Sequence, residues 1–156
     1  MKDKINAALE NSKAASVLET AKILAVTGEK ENSCSCKGCK DMCKRAPCLG
    51  TPFDILKLIQ AGHKKKIMPT LWAGLILHGI KPVPMIQAEK TDSGCAFLND
   101  QNLCSLHDAG LKPTEGKFAS HSPNQNGKSL TLEIAKTWID PKNFDLIDTI
   151  IEALET

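Results

Sequence analysis

Cysteines constrain this chain more than any other residue type. Cys34, Cys36, Cys39, Cys43 and Cys48 fall within fifteen residues, and Cys95 and Cys104 follow in a second short stretch. The opening residues, Met1-Lys2-Asp3-Lys4-Ile5-Asn6, have no continuous apolar run and no cleavage site, so they do not read as a secretory leader. A cytoplasmic location is therefore expected. In that reducing compartment clustered thiols bind metal or do redox chemistry more than they form disulfides. An odd total of seven also argues against a closed disulfide framework.

At 156 residues the chain reads as a single domain, 1–156, able to bury a core without staples. Aromatic residues make up only 4% and tyrosine is absent, so that core is expected to be built from Leu, Ile, Ala and Val. The net charge of +2 announces no field for nucleic acid, and nucleic-acid binding is not expected. The most apolar run, Leu71 to Ile80, is about half a membrane span and contains His78 and two glycines, which excludes a membrane helix there.

Apolar residues recur at helical spacing through Ile5, Ala8, Leu9, Val17, Leu18, Ala21, Leu24 and Ala25, predicting an N-terminal helix over 4–27 that stops near Gly28. Thr51-Pro52 reads as an N-cap followed by a first-turn proline, opening a helix that Gly62 closes. Pro69 and Thr70 suggest a short helix over 71–78, and Pro82 and Pro84 a surface loop over 81–93. Gly94 to His107 reads as a β-hairpin, and 108–128 as an irregular connection. C-terminal helices are expected within 128–155, divided by the cap Asp140 and the first-turn Pro141. The expected fold is α+β, mostly α-helical, with helices packed around a short β-hairpin and a cysteine-built metal site.

Cys36-Lys37-Gly38-Cys39 is a C-x-x-C pair with a glycine in its turn, a spacing that lets two thiolates meet one ion. If the segment is helical, Cys36, Cys39 and Cys43 follow one face at i, i+3 and i+7. In the hairpin, a four-residue turn Asn99–Asn102 would pair Leu98 with Leu103 and Phe97 with Cys104. Cys95 and Cys104 would then be diagonal neighbours on one face, roughly 7 Å apart. A loop longer or shorter by one residue would send the two thiols to opposite faces. Cys48, after Pro47, either ligates or packs beneath the site; Cys34 lies too close to Cys36 to converge with it. The candidate ligands are Cys36, Cys39, Cys43, Cys48, Cys95 and Cys104, spanning a metal-binding core over 34–121. Lys37, Lys40, Lys44 and Arg45 would offset the negative charge of a thiolate-bound ion.

The order Cys36-x-x-Cys39-x-x-Met42-Cys43, Pro47-Cys48-Leu49-Gly50-Thr51-Pro52, Gly94-Cys95-Ala96-Phe97-Leu98 and Cys104-Ser105-Leu106-His107 resembles a known group. It is similar to the C-x-x-C-x-x-C-C zinc- or iron-chelating cluster proteins, the YkgJ-type family. The resemblance covers about residues 34 to 121 and implies metal binding without implying a reaction. The chain departs from the family pattern at Met42, where a cysteine is usual, and at Leu111 to Gly116, which replaces an Arg-Pro-x-x-Cys element. Gly116 takes the position of that last cysteine. A thioether is a poor zinc ligand, so Met42 is expected to pack, and His121 is a possible nitrogen substitute.

These readings favour a metal-binding protein holding zinc, with iron or an iron–sulfur cluster in a redox or radical enzyme as the alternative. No Gly-rich phosphate loop, His-Glu-x-x-His motif or Rossmann fingerprint is present. Whether the chain is an enzyme stays open, as do its partners.

Overall fold

In the computed structural model, which describes residues 1–31, 37–72, 82–119 and 129–156, the first element is α1, Lys2–Thr27. It stops where expected: Gly28 takes the left-handed conformation (φ 71°) and donates its N–H to the Leu24 carbonyl. Without a Cβ, glycine adopts this conformation at little cost. Ile5, Leu9 and Ile23 are buried, whereas Val17 and Leu18, expected on the apolar face, are exposed. Directly after them Glu19 is buried, and its Oε2 accepts from Asn143 Nδ2 at 2.9 Å.

Next come α2 (Lys37–Arg45) and α3 (Pro52–Gln60). The α3 start follows its sequence signal: Thr51 Oγ1 accepts from the Asp54 N–H, and the Asp54 carboxylate accepts from the Thr51 N–H. This reciprocal capping box satisfies two amides that the helix cannot. Ile55, Leu56, Leu58 and Ile59 form the buried face, and Gly62 (φ 92°) follows the helix end.

Two strands then correct the expectation of a helix and a loop. β1 (Ile67–Trp72) and β2 (Val83–Ala88) pair antiparallel from Ile67↔Ala88 to Trp72↔Val83. Leu71 and Trp72 thus lie in a strand, and the rest of the expected 71–78 helix falls outside the described residues. Pro69 and Pro84 look like breakers in the sequence, but each strand of this two-stranded ladder has a free edge. Pro69 and Pro84 can each leave their missing N–H side unpaired there. β2 is no surface loop, since Val83, Met85, Ile86 and Ala88 are all buried.

A second small pair, β3 (Lys90–Thr91) and β4 (Gly94–Cys95), follows through Asp92-Ser93. In the stretch expected to be irregular, Thr114–Phe118 forms the short helix α4. The chain ends with α5 (Leu130–Lys136), a 3-10 turn over Pro141–Asn143 and α6 (Phe144–Glu155). Asp140 caps that turn as expected, its Oδ1 accepting from the Lys142 N–H.

The core lies among α1, α3, α5, α6 and the inner face of β2. Leu56, Leu58, Ile134 and Ile150 have no exposed surface, and each such burial contributes about 1.5–3 kcal/mol. Trp138 closes one side, its indole N–H donating to the Gly50 carbonyl at 2.8 Å. The architecture is α+β with a small antiparallel hairpin. Among the described residues, no helix is long and apolar enough to cross a membrane.

Candidate functional site

Cys43, Cys48, Cys95 and Cys104 come from three separate parts of the chain, and none of them is in a disulfide. Cys43 lies in the second half of α2, and Cys48 in the segment leading to α3. The α2 backbone rests directly on Gly94. A Cβ on that glycine would lie 2.8 Å from Lys44 Cα and 2.9 Å from the Cys43 oxygen. With φ at 109°, Gly94 is also in a conformation that side chains disfavour. The glycine therefore brings Cys95 up beside Cys43.

Cys104 reaches the same neighbourhood by a pairing other than the expected one. Leu98 bridges Cys104, not Leu103, so the loop has one residue more than the four-residue turn. Asn99 accounts for the extra residue. Its Oδ1 accepts from the N–H groups of Gln101 and Leu103, at 2.9 and 3.0 Å, and Asn102 takes a positive φ of 60°. The slip does not part the thiols, because the strand is not continuous. The Leu98 N–H turns back to the Cys95 carbonyl at 3.0 Å, so simple alternation of faces does not apply between them. Phe97, almost wholly buried, anchors this turn with His63 edge-on at 5.3 Å and Lys66 above its ring at 5.4 Å.

The backbone amides of Phe97, beside Cys95, and of Leu106 and His107, beside Cys104, act in favour of the thiolates. Burial wins all the same and pushes both thiols up, and the neighbouring Cys43 adds to the effect. Cys43 and Cys48 share a thiol hydrogen bond that splits them. As acceptor, with Lys112 assisting and burial opposing, Cys43 is drawn down to about 7. As donor to Cys43, the half-buried Cys48 is pushed well up, with desolvation and the facing Cys43, Glu115 and Cys95 adding to the effect.

The segment carrying Cys48 is clipped to α4. Leu49 and Glu115 exchange bonds: the Leu49 N–H donates to Glu115 Oε1, and the Glu115 N–H to the Leu49 carbonyl, both at 3.0 Å. Asp54 ties α4 to α3, its Oδ2 accepting from the N–H and Oγ1 of Thr114 at 2.9 and 2.5 Å. Burial pushes the Glu115 carboxyl up, and the bonds from Thr131 Oγ1 and Leu49 oppose it. A cavity of about 380 Å³ opens beside Cys43 and Cys48. Met42 lines it and is exposed, contrary to the expectation that it packs.

Of the six candidate ligands, Cys36 lies outside the described residues, as do Cys34, His78 and His121. Cys39 is in α2, but its side chain is not described. His107 is exposed. Among the described residues, no three His, Cys, Asp or Glu side chains form a group set to hold a metal ion. The free thiols of Cys43, Cys48, Cys95 and Cys104 lie close enough to affect one another's ionisation. Gly94, Glu115 and Lys112 were not singled out as site residues from the sequence. Only Gly94, next to a cysteine, left a readable sign. Comparison with family models, with curated proteins and with solved structures finds no match.

Proposed function

We propose that this chain binds a thiophilic metal ion, zinc ahead of iron, through Cys43, Cys48, Cys95 and Cys104 together with Cys36 and Cys39. One observation carries the reading: the free thiols of Cys43, Cys48, Cys95 and Cys104, from three parts of the chain, lie close enough to interact, and burial disfavours the Cys95 and Cys104 thiolates. Such a pair gains most from a cation that offsets the burial. Zinc bound by thiolates supplies that charge, has no redox chemistry of its own and accepts tetrahedral sulfur sets. Six candidates exceed the four ligands of one such ion, so some thiols are spare or a second ion binds. The motif resemblance to chelating cluster proteins supports the same reading. The bound ion would clamp α2 to the turn that carries Cys95 and Cys104.

The test is metal analysis with an optical spectrum, on protein purified without oxygen or added metal. About one equivalent of zinc in a colourless solution is the expected result. Cys104→Ser and Cys39→Ser should lower that content. Metal-free protein, or variants with unchanged content, would overturn the proposal. Iron with inorganic sulfide and a brown absorbance would replace zinc by a cluster.

A further inference from the structure

The cavity beside Cys43 and Cys48 has the size of a small-molecule site, about 380 Å³. Met42, Ala46 and Pro47 give it an apolar wall. Two cations also line it. Lys112 is half-buried, and neither it nor Arg45 has a carboxylate within 4.0 Å among the described residues. Glu115, the one acid among the lining residues, is already engaged: Oε1 accepts from Leu49 and Oε2 from Thr131 Oγ1 at 2.7 Å.

Gly116 keeps the space open. A Cβ there would lie 3.0 Å from Cys48 Sγ and 3.0 Å from Lys112 Cγ. Any larger residue would therefore intrude between the lysine and the thiol.

We infer that this cavity binds a small organic anion, its charged group at Lys112 and Arg45 and its body against the apolar wall beside Cys43. Lys112, half-buried and with no carboxylate beside it among the described residues, attracts an anion more strongly than an ammonium in open water. Arg45, exposed with its Nε donating to the Asp41 carbonyl at 3.4 Å, adds its charge at the rim. The apolar wall favours an organic body over a bare inorganic ion. This inference does not depend on the metal reading, because it uses only the cavity, its cations and a thiol that reports on them.

Alkylation of Cys43 tests it, using iodoacetate and iodoacetamide on the protein as purified, with peptide mass spectrometry to read the site. Both reagents join carbon to the Cys43 sulfur and expel iodide. Their rate ratio therefore cancels the thiolate fraction and any protection by bound metal. The iodoacetate rate should saturate with reagent concentration while the iodoacetamide rate stays linear. Lys112→Gln should lower the iodoacetate-to-iodoacetamide ratio about threefold at low salt, and high salt should do the same in the parent protein. Lys112→Arg should keep the ratio, which separates charge from packing. Linear rates for both reagents with a ratio indifferent to Lys112 would overturn the inference. So would a Cys43 that resists both reagents before and after chelation. The metal content of the same sample is read separately, so either proposal can fail alone.

Discussion

The helical region and the cysteine region are held together by different means. Around Leu56, Leu58, Ile134 and Ile150, burial is complete and the contacts are apolar. Around Cys43, Cys48, Cys95 and Cys104, the thiols are mostly half-buried and the strands are two residues long. Close backbone approach at Gly94 and hydrogen bonds to Phe97, Glu115 and Asp54 do much of the positioning there. The first region is stable through area removed from water. In the second, burial works against the charged form of its own functional groups. A bound cation would reverse that conflict, and here the two regions should respond differently to perturbation.

The largest separation should follow chelation. Structural zinc contributes on the order of 10 kcal/mol in small zinc-binding peptides, so on the proposed metal reading chelation should abolish amide-exchange protection around α2 and Cys95 to Cys104. Protection in α3 and α6 should largely persist. Equal loss in both regions would show one cooperative unit and end the comparison.

Ile150→Ala attacks the other side, deleting a side chain with no exposed surface. A loss of about 3 kcal/mol is expected, lowering Tm by roughly 10 °C. Metal content per folded molecule should not change.

Gly94→Ala strikes the junction between α2 and β4. The positive φ and the 2.8 Å approach to Lys44 Cα together predict a loss of about 2 kcal/mol or more. Thiol labelling of Cys95 should speed up, while exchange in α6 stays as it was.

The smallest effect is expected at Lys142, whose ammonium lies 3.4 Å from both Glu19 and Asp140. Burial opposes its charge, but the two carboxylates outweigh burial and raise its pKa above the usual lysine value. Its stabilisation is therefore fully present below that usual value and is lost as pH rises through the raised one. The side chain is 48% exposed, so solvent screening limits Lys142→Met to about 0.5 kcal/mol. Urea unfolding at neutral and strongly alkaline pH should show the difference between the two proteins shrinking in alkali.

Legibility followed the range of the interactions. The end of α1 at Gly28, the Thr51-Pro52-Asp54 start of α3 and the Asp140-Pro141 break were readable because each depends on a few adjacent residues. The β1–β2 hairpin was not, because its prolines look like breakers until the strands prove to be edges. The pairing of Cys104 was misread by one residue because the side chain of Asn99 holds the loop. The second partnership of Asp54, with Thr114 sixty positions away, left no local sign at all.

By itself, then, the sequence determined where most helices begin and end, and that this chain carries an unusual density of thiols. Capping, glycine conformation and apolar periodicity act within a few residues, so they can be read from neighbours in the chain. Only the tertiary structure decided that Cys43, Cys48, Cys95 and Cys104 share one neighbourhood and that Lys112 and Gly116 shape the cavity beside them. Those placements depend on desolvation and on the approach of distant backbones, above all α2 against Gly94, which no local pattern encodes.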